Sequence, residues 1–168
     1  MVESSNTRPK CPRPTPIEQV LFLECDIQSK VGSKIFRYNT VVHQSAKLGK
    51  LSNILGIPLV ATQQVNFGPI DQLCLDSHNE TLTKVFEKNA FSMTGDEATM
   101  NHIKSLKRSI AVLYGTVTEA CILQTSKGLL DAGYTVFLVV DAVSSFQVEE
   151  RNTGLQMLRD LGVTLTTF

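Results

Sequence analysis

The stretch "SIAVLYGTVTEACILQTSKGLLDAGYTVFLVV", residues 109–140, holds two apolar runs separated by a segment with helical spacing. The runs "SIAVLY" and "TVFLVV" have strand length and almost no polar interruption, which is typical of strands covered on both faces. The segment between them has a shared helical face and a C-terminal stop, formed by Ile122, Ser126, Leu129, Leu130 and then Gly133. A strand, a helix and a strand in this order predict a right-handed crossover between parallel strands.

The same alternation occurs along the rest of the chain. Further strands are predicted at "VLFLEC" (20–25) and "PLVAT" (58–62), with a weaker one in "VTLTTF" (163–168). An amphipathic helix ends at Gly56, a second begins at Thr94 with Glu97 in a capping-box position, and a last one ends at Gly162. We therefore predict a doubly wound, mainly parallel α/β sheet of five to six strands with helices on both faces, a Rossmann-like three-layer arrangement.

Composition and charge narrow the class of protein. Residues 1–17 contain four of the six prolines and predict a flexible tail, and residues 18–168 then form one domain. Sixteen basic and sixteen acidic residues balance, so nucleic acid is not an expected partner. No apolar stretch of membrane-spanning length or signal-peptide core is visible, which predicts a cytoplasmic protein with no membrane contact. The four cysteines form no C-x-x-C pair and are expected to be reduced.

Three polar residues fall where ligands bind in such sheets, at the carboxyl ends of strands. Asp26 follows the first strand, and Cys121 follows the strand that ends near Gly115. Lys88 lies in "FEKNAFSM", the connection before that strand. No G-x-G-x-x-G or Walker pattern follows a strand, so nucleotide binding has no support.

The position of Cys121 favours a reactive thiol. If Thr118 is the N-cap, Cys121 is the third residue of its helix, where free N–H groups and the helix dipole favour ionisation. Gly115 allows a tight turn, and the following amides could stabilise an oxyanion. Asp26 is the candidate proton acceptor. Lys88 would favour the ionised forms of both the Asp26 carboxyl group and the Cys121 thiol.

Each of these residues also has a structural interpretation. Cys121 could be a small buried core residue, Asp26 a turn or capping residue, and Lys88 a solvated loop residue. The two other cysteines of the folded part, Cys25 in a strand and Cys74 in a polar loop, are predicted to be structural.

The sequence also predicts the environments of two further polar residues, Glu24 and His78. Glu24 interrupts an apolar strand and would need a partner, which the sequence does not identify. His78 lies in the polar run "DSHNE" and is predicted to be solvated.

The motifs together resemble a known group of enzymes. "LFLECDIQ", "FEKNAFSM", "YGTVTEACILQT" and "LDAGYTVFLVVDAVSS" occur in the order seen in the isochorismatase-like cysteine hydrolase superfamily, most closely its isochorismatase domain-containing proteins. The resemblance covers residues 19–168. It implies a catalytic aspartate at Asp26, a lysine at Lys88 and a nucleophile at Cys121. It also implies a cis peptide between Thr116 and Val117, with the N–H groups of Val117 and Cys121 as the oxyanion hole.

The chain also departs from relatives in ways that bear on substrate. Metal-dependent nicotinamidases have an Asp and His pattern after the second strand, where this chain has "ATQQVNFGPIDQL", so no metal or other cofactor is expected. Phe146 stands where relatives often have Arg, and Glu119 would oppose a thiolate nearby. The chain ends at "LTTF", before a helix found in relatives, which leaves open a truncated C-terminus.

These observations predict a metal-free cysteine hydrolase that opens a small amide-like or related acyl substrate through a thioester on Cys121. The alternative is a catalytically inactive binding or scaffold protein that keeps the pocket. The resemblance further implies a homo-oligomer, a dimer or larger. The apolar connection "VNFGPIDQLCL", residues 65–75, is the candidate interface.

Overall fold

A six-stranded parallel sheet forms the centre of the molecule in a computed structural model that describes residues 15–168. Its strands in chain order are β1 (Val20–Cys25), β2 (Leu59–Gln64), β3 (Thr83–Lys88), β4 (Ile110–Thr116), β5 (Thr135–Ser144) and β6 (Thr164–Thr166). They lie side by side in the order β3-β2-β1-β4-β5-β6, and every neighbouring pair is parallel. The predicted doubly wound parallel sheet is confirmed.

Helices cover both faces of this sheet. They are α1 (Ser29–Gly32), α2 (Tyr38–Leu55), α3 (Gln72–Leu75), α4 (Glu97–Ser105), α5 (Leu123–Asp131) and α6 (Val148–Asp160). The 3₁₀ turns Ile17–Gln19 and Met93–Gly95 and the π-helical turn Thr118–Ile122 complete the elements. Right-handed crossovers place α2 and α3 on one face and α4, α5 and α6 on the other, because the strand order runs outward from β1 in both directions.

The core lies where the central strands meet the helices. Side chains of β1, β4 and β5 such as Leu23, Leu113 and Leu138 are completely buried. These are the near-continuous apolar runs of the sequence, and burial of both faces explains why they do not alternate with polar residues. The rigid central strands fix the positions of their carboxyl ends.

Strand β3 corrects the sequence analysis, which treated its residues as a connection. The segment "TKVFEK" pairs with β2 along its whole length and forms the edge of the sheet. Because only one neighbour covers it, Val85 remains 40% exposed and the strand carries lysines where an inner strand would be apolar. Lys88 is therefore the last residue of a strand, not a loop residue.

Helix ends agree with the sequence in some places and differ in others. The amphipathic helix α2 is confirmed and ends at Gly56, which adopts a left-handed conformation with φ 65°. The capping-box prediction at Thr94 is wrong, because Thr94 lies in a 3₁₀ turn and the Asp96 side chain caps α4 by accepting from the N–H of Thr99. The predicted tail, residues 1–17, lies outside the described residues except for its last three positions.

Candidate functional site

Three predicted residues meet at the carboxyl edge of the sheet. Asp26 directly follows β1, Lys88 ends β3, and Cys121 lies in the π-helical turn after β4. Lys88 Nζ is 2.7 Å from Asp26 Oδ2 and 3.9 Å from Cys121 Sγ. All three residues are nearly inaccessible, with exposed fractions of 3% for Asp26, 1% for Lys88 and 7% for Cys121. The structure thus brings together an acid, a cation and a thiol.

The Lys88 ammonium group is held from several directions. Besides Asp26, it donates to Gln64 Oε1 at 2.8 Å and to the backbone oxygens of Ala90 and Phe91 at 2.9 and 3.0 Å. Burial disfavours its charge, but the acidic groups of the site outweigh burial and raise the pKa of Lys88. Lys88 is therefore a fixed positive charge and is a poor proton donor.

Strand β2 positions the carboxylate. The Thr62 hydroxyl donates to Asp26 Oδ1 at 2.9 Å, and the Asp26 N–H donates to the Thr62 carbonyl at 3.1 Å. Asp26 has φ 50°, a left-handed conformation that turns the chain out of β1. With Lys88 on one oxygen and Thr62 on the other, the carboxylate has a fixed orientation.

The surroundings of Cys121 favour its ionised form. The largest effect is a hydrogen bond from the Cys25 thiol, which lowers the pKa of Cys121; burial and the Asp26 charge oppose it. The Lys88 charge and a hydrogen bond from the Val117 backbone N–H lower it further, and the net effect is a lowered pKa. A thiolate at Cys121 is thus stabilised by several neighbours.

The turn after β4 depends on Gly115. Its φ is 126°, and a Cβ atom there would lie 2.0 Å from the backbone oxygen of Cys25. The peptide bond between Thr116 and Val117 is cis, and the Thr116 hydroxyl donates to the Asp26 carbonyl at 2.8 Å. This turn ties the end of β4 to the end of β1.

The start of the following helix differs from the sequence analysis. Thr118 is not a side-chain N-cap, because its hydroxyl has no partner among the described residues and Val117 occupies the capping position. The N–H of Ile122 donates to the carbonyl of Val117, which makes the first turn π-helical and wider than an α-helical turn. Cys121 remains in the first turn of the continuous helical segment that leads into α5.

Glu119 and Phe146 were singled out as possible obstacles to activity. The Glu119 carboxylate accepts a hydrogen bond from the Ser145 hydroxyl. Ser145 Oγ in turn accepts a hydrogen bond from the N–H of Thr118 at 3.3 Å. Glu119 is not among the groups that shift the pKa of Cys121. Phe146 is 38% exposed. Glu119 therefore helps to hold the turn through Ser145.

Sequence reasoning missed three residues that support the site: Thr62, Gln64 and Cys25. A usable signal existed for the first two, because polar residues two apart at the end of an apolar strand face the same side of a sheet. The prediction that Cys25 is structural misses its contact with the site, because its thiol donates to Asp26 Oδ2 at 3.5 Å. Cys74, assigned to a polar loop, is a completely buried residue of α3.

The prediction for His78 was wrong, and the same contact identifies the partner of Glu24. His78 Nε2 lies 3.2 Å from Glu24 Oε1, and the side chain of His78 is 8% exposed while that of Glu24 is completely buried. The buried carboxyl group of Glu24 needs a hydrogen-bond partner, and His78 provides it. This contact holds His78 against the core.

None of the histidines contributes to the Asp26, Lys88 and Cys121 cluster. His43 contacts the Asn39 carbonyl on α2, and His102 lies on α4 against the ring of Phe86. Within residues 15–168, no group of three or more His, Cys, Asp or Glu side chains is placed to hold a metal ion. In the same part of the chain, no helix is both long and apolar enough to span a membrane.

The fold and the site define a three-layer parallel α/β protein with an acid, a lysine and a cysteine at the carboxyl edge of its sheet. Comparison with known families agrees, because the isochorismatase domain matches residues 20–168. The chain belongs to the isochorismatase family, which confirms the resemblance noted in its sequence.

Individual relatives extend this comparison. Isochorismatase family protein 1A of Dictyostelium discoideum is 35% identical over 158 residues, which cover 91% of this chain and 76% of that protein. The structure of the MAR1 ribonuclease from Caenorhabditis elegans superposes with a TM-score of 0.86 at 30% identity, covering 91% of this chain and 79% of that one. The Escherichia coli YcaC protein, described as an octameric hydrolase of unknown specificity, shares the fold with a TM-score of 0.83 at 19% identity, covering 94% and 79% of the two chains.

Proposed function

We propose that this protein is a cysteine hydrolase that cleaves a small amide-like or related acyl substrate through a thioester on Cys121, without a metal ion. The observation that carries the proposal is the position of the Lys88 ammonium group between the Asp26 carboxylate and the Cys121 sulfur. A thiol with a lowered pKa beside a fixed cation has the properties of an activated nucleophile.

In the proposed reaction, the Cys121 sulfur attacks the carbonyl carbon and the carbonyl oxygen becomes an oxyanion. The backbone N–H groups of Val117 and Cys121 donate to this oxygen, the role predicted from the sequence. Asp26 accepts the thiol proton and returns it to the leaving nitrogen, which departs as the C–N bond breaks. Water then attacks the thioester, the C–S bond breaks, and the carboxylic acid product leaves the restored thiol.

Lys88 supplies the positive charge in this scheme. Its engaged ammonium group does not exchange a proton in the cycle, but it stabilises the thiolate and holds the Asp26 carboxyl group in place through the 2.7 Å contact with Oδ2. A metal ion in this role would need several converging His or carboxylate ligands. The lysine is thus the proposed substitute for a Lewis acid.

A screen of small amides with intact-mass detection tests the proposal. We expect an acyl adduct on Cys121 with at least one compound, and turnover of that compound that is lost in Cys121→Ala while the thermal unfolding midpoint is retained. A Cys74→Ala variant is the matched control, since Cys74 is buried on α3 and contacts the Val42 carbonyl instead of the site. Full turnover by Cys121→Ala would contradict the mechanism.

The scaffold alternative has one observation in its favour, the small exposed fraction of the Cys121 thiol, 7%. Alkylation kinetics separate the two functions. An activated Cys121 reacts with iodoacetamide at neutral pH faster than Cys11, which lies outside the described residues. A slower or equal rate at Cys121 would favour the binding or scaffold function.

RNA belongs in the same screen because one solved relative is named a ribonuclease. The balanced charge of the chain supports the absence of nucleic-acid binding, since phosphate contacts require a basic excess. We therefore expect no salt-dependent RNA binding. The cytosol remains the expected location, to be checked by fractionation of cells that express the full chain.

Assembly into a homo-oligomer is the last part of the proposal. In the connection named as candidate interface, Ile70 and Cys74 are buried, whereas Phe67 and Leu73 are 37% and 38% exposed. Two partly exposed apolar side chains support a contact with a second copy. Sedimentation at micromolar concentration should show a dimer or larger, and Phe67→Asp should shift it toward monomer; a monomeric parent protein would contradict the proposal.

A further inference from the structure

Cys25 lies inside the site but takes part in no bond-forming or proton-transfer step of the proposed hydrolysis. Its side chain is completely buried at the end of β1, one residue before Asp26. The thiol donates to Asp26 Oδ2 at 3.5 Å, and the same oxygen binds the Lys88 ammonium group, which lies 3.9 Å from Cys121 Sγ. Two thiols that border the same Asp26–Lys88 ion pair are placed for chemistry between them.

We propose that Cys25 is a resolving thiol, which forms a disulfide with Cys121 after a hydroperoxide has oxidised Cys121. The Cys25–Cys121 pair is then a reversible modification site that shuts off the nucleophile and protects it from irreversible oxidation. The inference rests on the proposed function in one respect, since it needs a reactive thiolate at Cys121.

The reaction proceeds in two balanced steps. In the first, the Cys121 thiolate attacks the terminal oxygen of the hydroperoxide, the S–O bond forms, the O–O bond breaks, and the alkoxide or hydroxide leaves and takes up a proton. In the second, the Cys25 sulfur attacks the Cys121 sulfenic acid, the S–S bond forms, and the hydroxyl group leaves with the Cys25 proton as water. Two thiols have lost two electrons, which the peroxide has gained. An external dithiol returns the pair to the reduced state.

The two thiols have opposite acid–base properties, as this division of roles requires. Burial, followed by the hydrogen bond to Cys121 and the Asp26 charge, raises the pKa of Cys25 well above its usual range. Cys25 thus stays protonated while Cys121 is the group that attacks peroxide. Once Cys121 is a neutral sulfenic acid, its repulsion no longer opposes ionisation of Cys25, whereas the nearby Lys88 charge still favours it.

The backbone also holds the two residues close together. Cys25 is the register partner of Gly115 at the ends of β1 and β4, and this close approach tolerates no side chain at Gly115. The turn from Gly115 leads directly to Cys121. Because a disulfide requires Cβ atoms about 3.5–4.5 Å apart, the proposed Cys25–Cys121 bond depends on this close approach of the ends of β1 and β4. Cys74 lies on α3 instead, where its thiol donates to the Val42 carbonyl.

Mass spectrometry of the full chain after exposure to stoichiometric hydrogen peroxide tests the inference. The wild-type protein should lose two hydrogen atoms in mass, yield a linked Cys25–Cys121 peptide, and recover its alkylatable Cys121 on treatment with dithiothreitol. Cys25→Ser should give no linked peptide, and its Cys121 should gain two or three oxygen atoms irreversibly. Cys74→Ser is the matched control and should behave like wild type.

The outcomes that would overturn the inference are distinct from those that would overturn the proposed function. If Cys121 alkylates rapidly but accumulates oxygen equally in wild type and Cys25→Ser, or links to another cysteine, the resolving role is wrong and the thiolate stands. If Cys121 neither alkylates faster than Cys11 nor reacts with peroxide, the thiolate and the proposed hydrolysis both fail. If the serine variant does not fold, Cys25→Ala, verified by circular dichroism, repeats the test for the linked peptide; its oxygen gain is read after complete reaction, because the loss of the residue-25 donor slows oxidation of Cys121.

Discussion

Replacing Lys88 by methionine tests the central electrostatic feature of the site. The change keeps most of the side-chain length and removes the positive charge that lies 3.9 Å from Cys121 Sγ. At an effective dielectric constant of about 20, two unit charges at this distance attract by about 4 kcal/mol. Since each factor of ten corresponds to about 1.4 kcal/mol, the thiolate population could fall by up to a thousandfold.

The expected result is a large loss of thiol reactivity. We predict that Lys88→Met slows alkylation of Cys121 by iodoacetamide at pH 7 by about a hundredfold to a thousandfold, and moves the midpoint of the rate–pH profile upward. Lys127→Met is the matched control, because Lys127 pairs with Asp131 on the surface, where both side chains are more than half exposed. It should leave the rate unchanged.

Folding must be measured in the same variants. Lys88→Met leaves the Asp26 carboxylate buried without its partner, a change that typically costs about 3–5 kcal/mol. Lys88→Met/Asp26→Asn removes both charges, should recover much of this stability, and should recover part of the reactivity because the Asp26 charge raises the pKa of Cys121. Unchanged alkylation in a folded Lys88→Met protein would refute the electrostatic argument.

Three further predictions concern stability and metal. His78→Ala should lower the free energy of unfolding in urea by about 1–3 kcal/mol, because it leaves the buried Glu24 Oε1 without its hydrogen-bond partner; Glu24→Leu/His78→Leu should be neutral or stabilising. Asp96→Ala should cost about 1 kcal/mol by removing the cap of α4. Hydrogen bonds from Thr99 lower the pKa of Asp96, so the stabilisation that the Asp96 carboxylate provides is present at neutral pH and is lost as pH falls through the lowered pKa. Thermal melts of the wild type and of Asp96→Ala between pH 7 and 2 should therefore converge at low pH. A difference between the two proteins that is the same at every pH would contradict this prediction. Exhaustive chelation should leave turnover unchanged, and stoichiometric zinc or iron lost together with activity would show the metal-free assignment to be wrong.

The inner strands were predictable from sequence because both of their faces are buried. β1, β2, β4 and β5 appear as apolar runs, and this pattern needs no knowledge of the neighbours. β3 has one neighbouring strand and one open edge, so its sequence "TKVFEK" carries no such run. The edge strand could be found only from its pairing with β2, a long-range feature that local sequence does not encode.

The candidate site, like the fold, was predictable only in part. Asp26 and Cys121 follow inner strands, so their convergence could be expected from the topology of a parallel sheet. The contacts of Lys88 with the carbonyls of Ala90 and Phe91 depend on the backbone path of a loop. The Glu24–His78 pair joins residues 54 positions apart, for which the sequence contains no periodic signal.

Strand β2 explains how an edge residue can serve a site at the centre of the sheet. It lies between β1 and β3, so Lys88 must cross it to reach Asp26. Thr62 and Gln64 are two apart and project to the same side, and each binds one member of the ion pair, Asp26 and Lys88 respectively. The spacing of two residues along β2 thereby fixes the separation of acid and cation. Because an ion pair that is removed from water needs its remaining donors and acceptors satisfied, Thr62 and Gln64 stabilise the buried Asp26–Lys88 pair together with the carbonyls of Ala90 and Phe91.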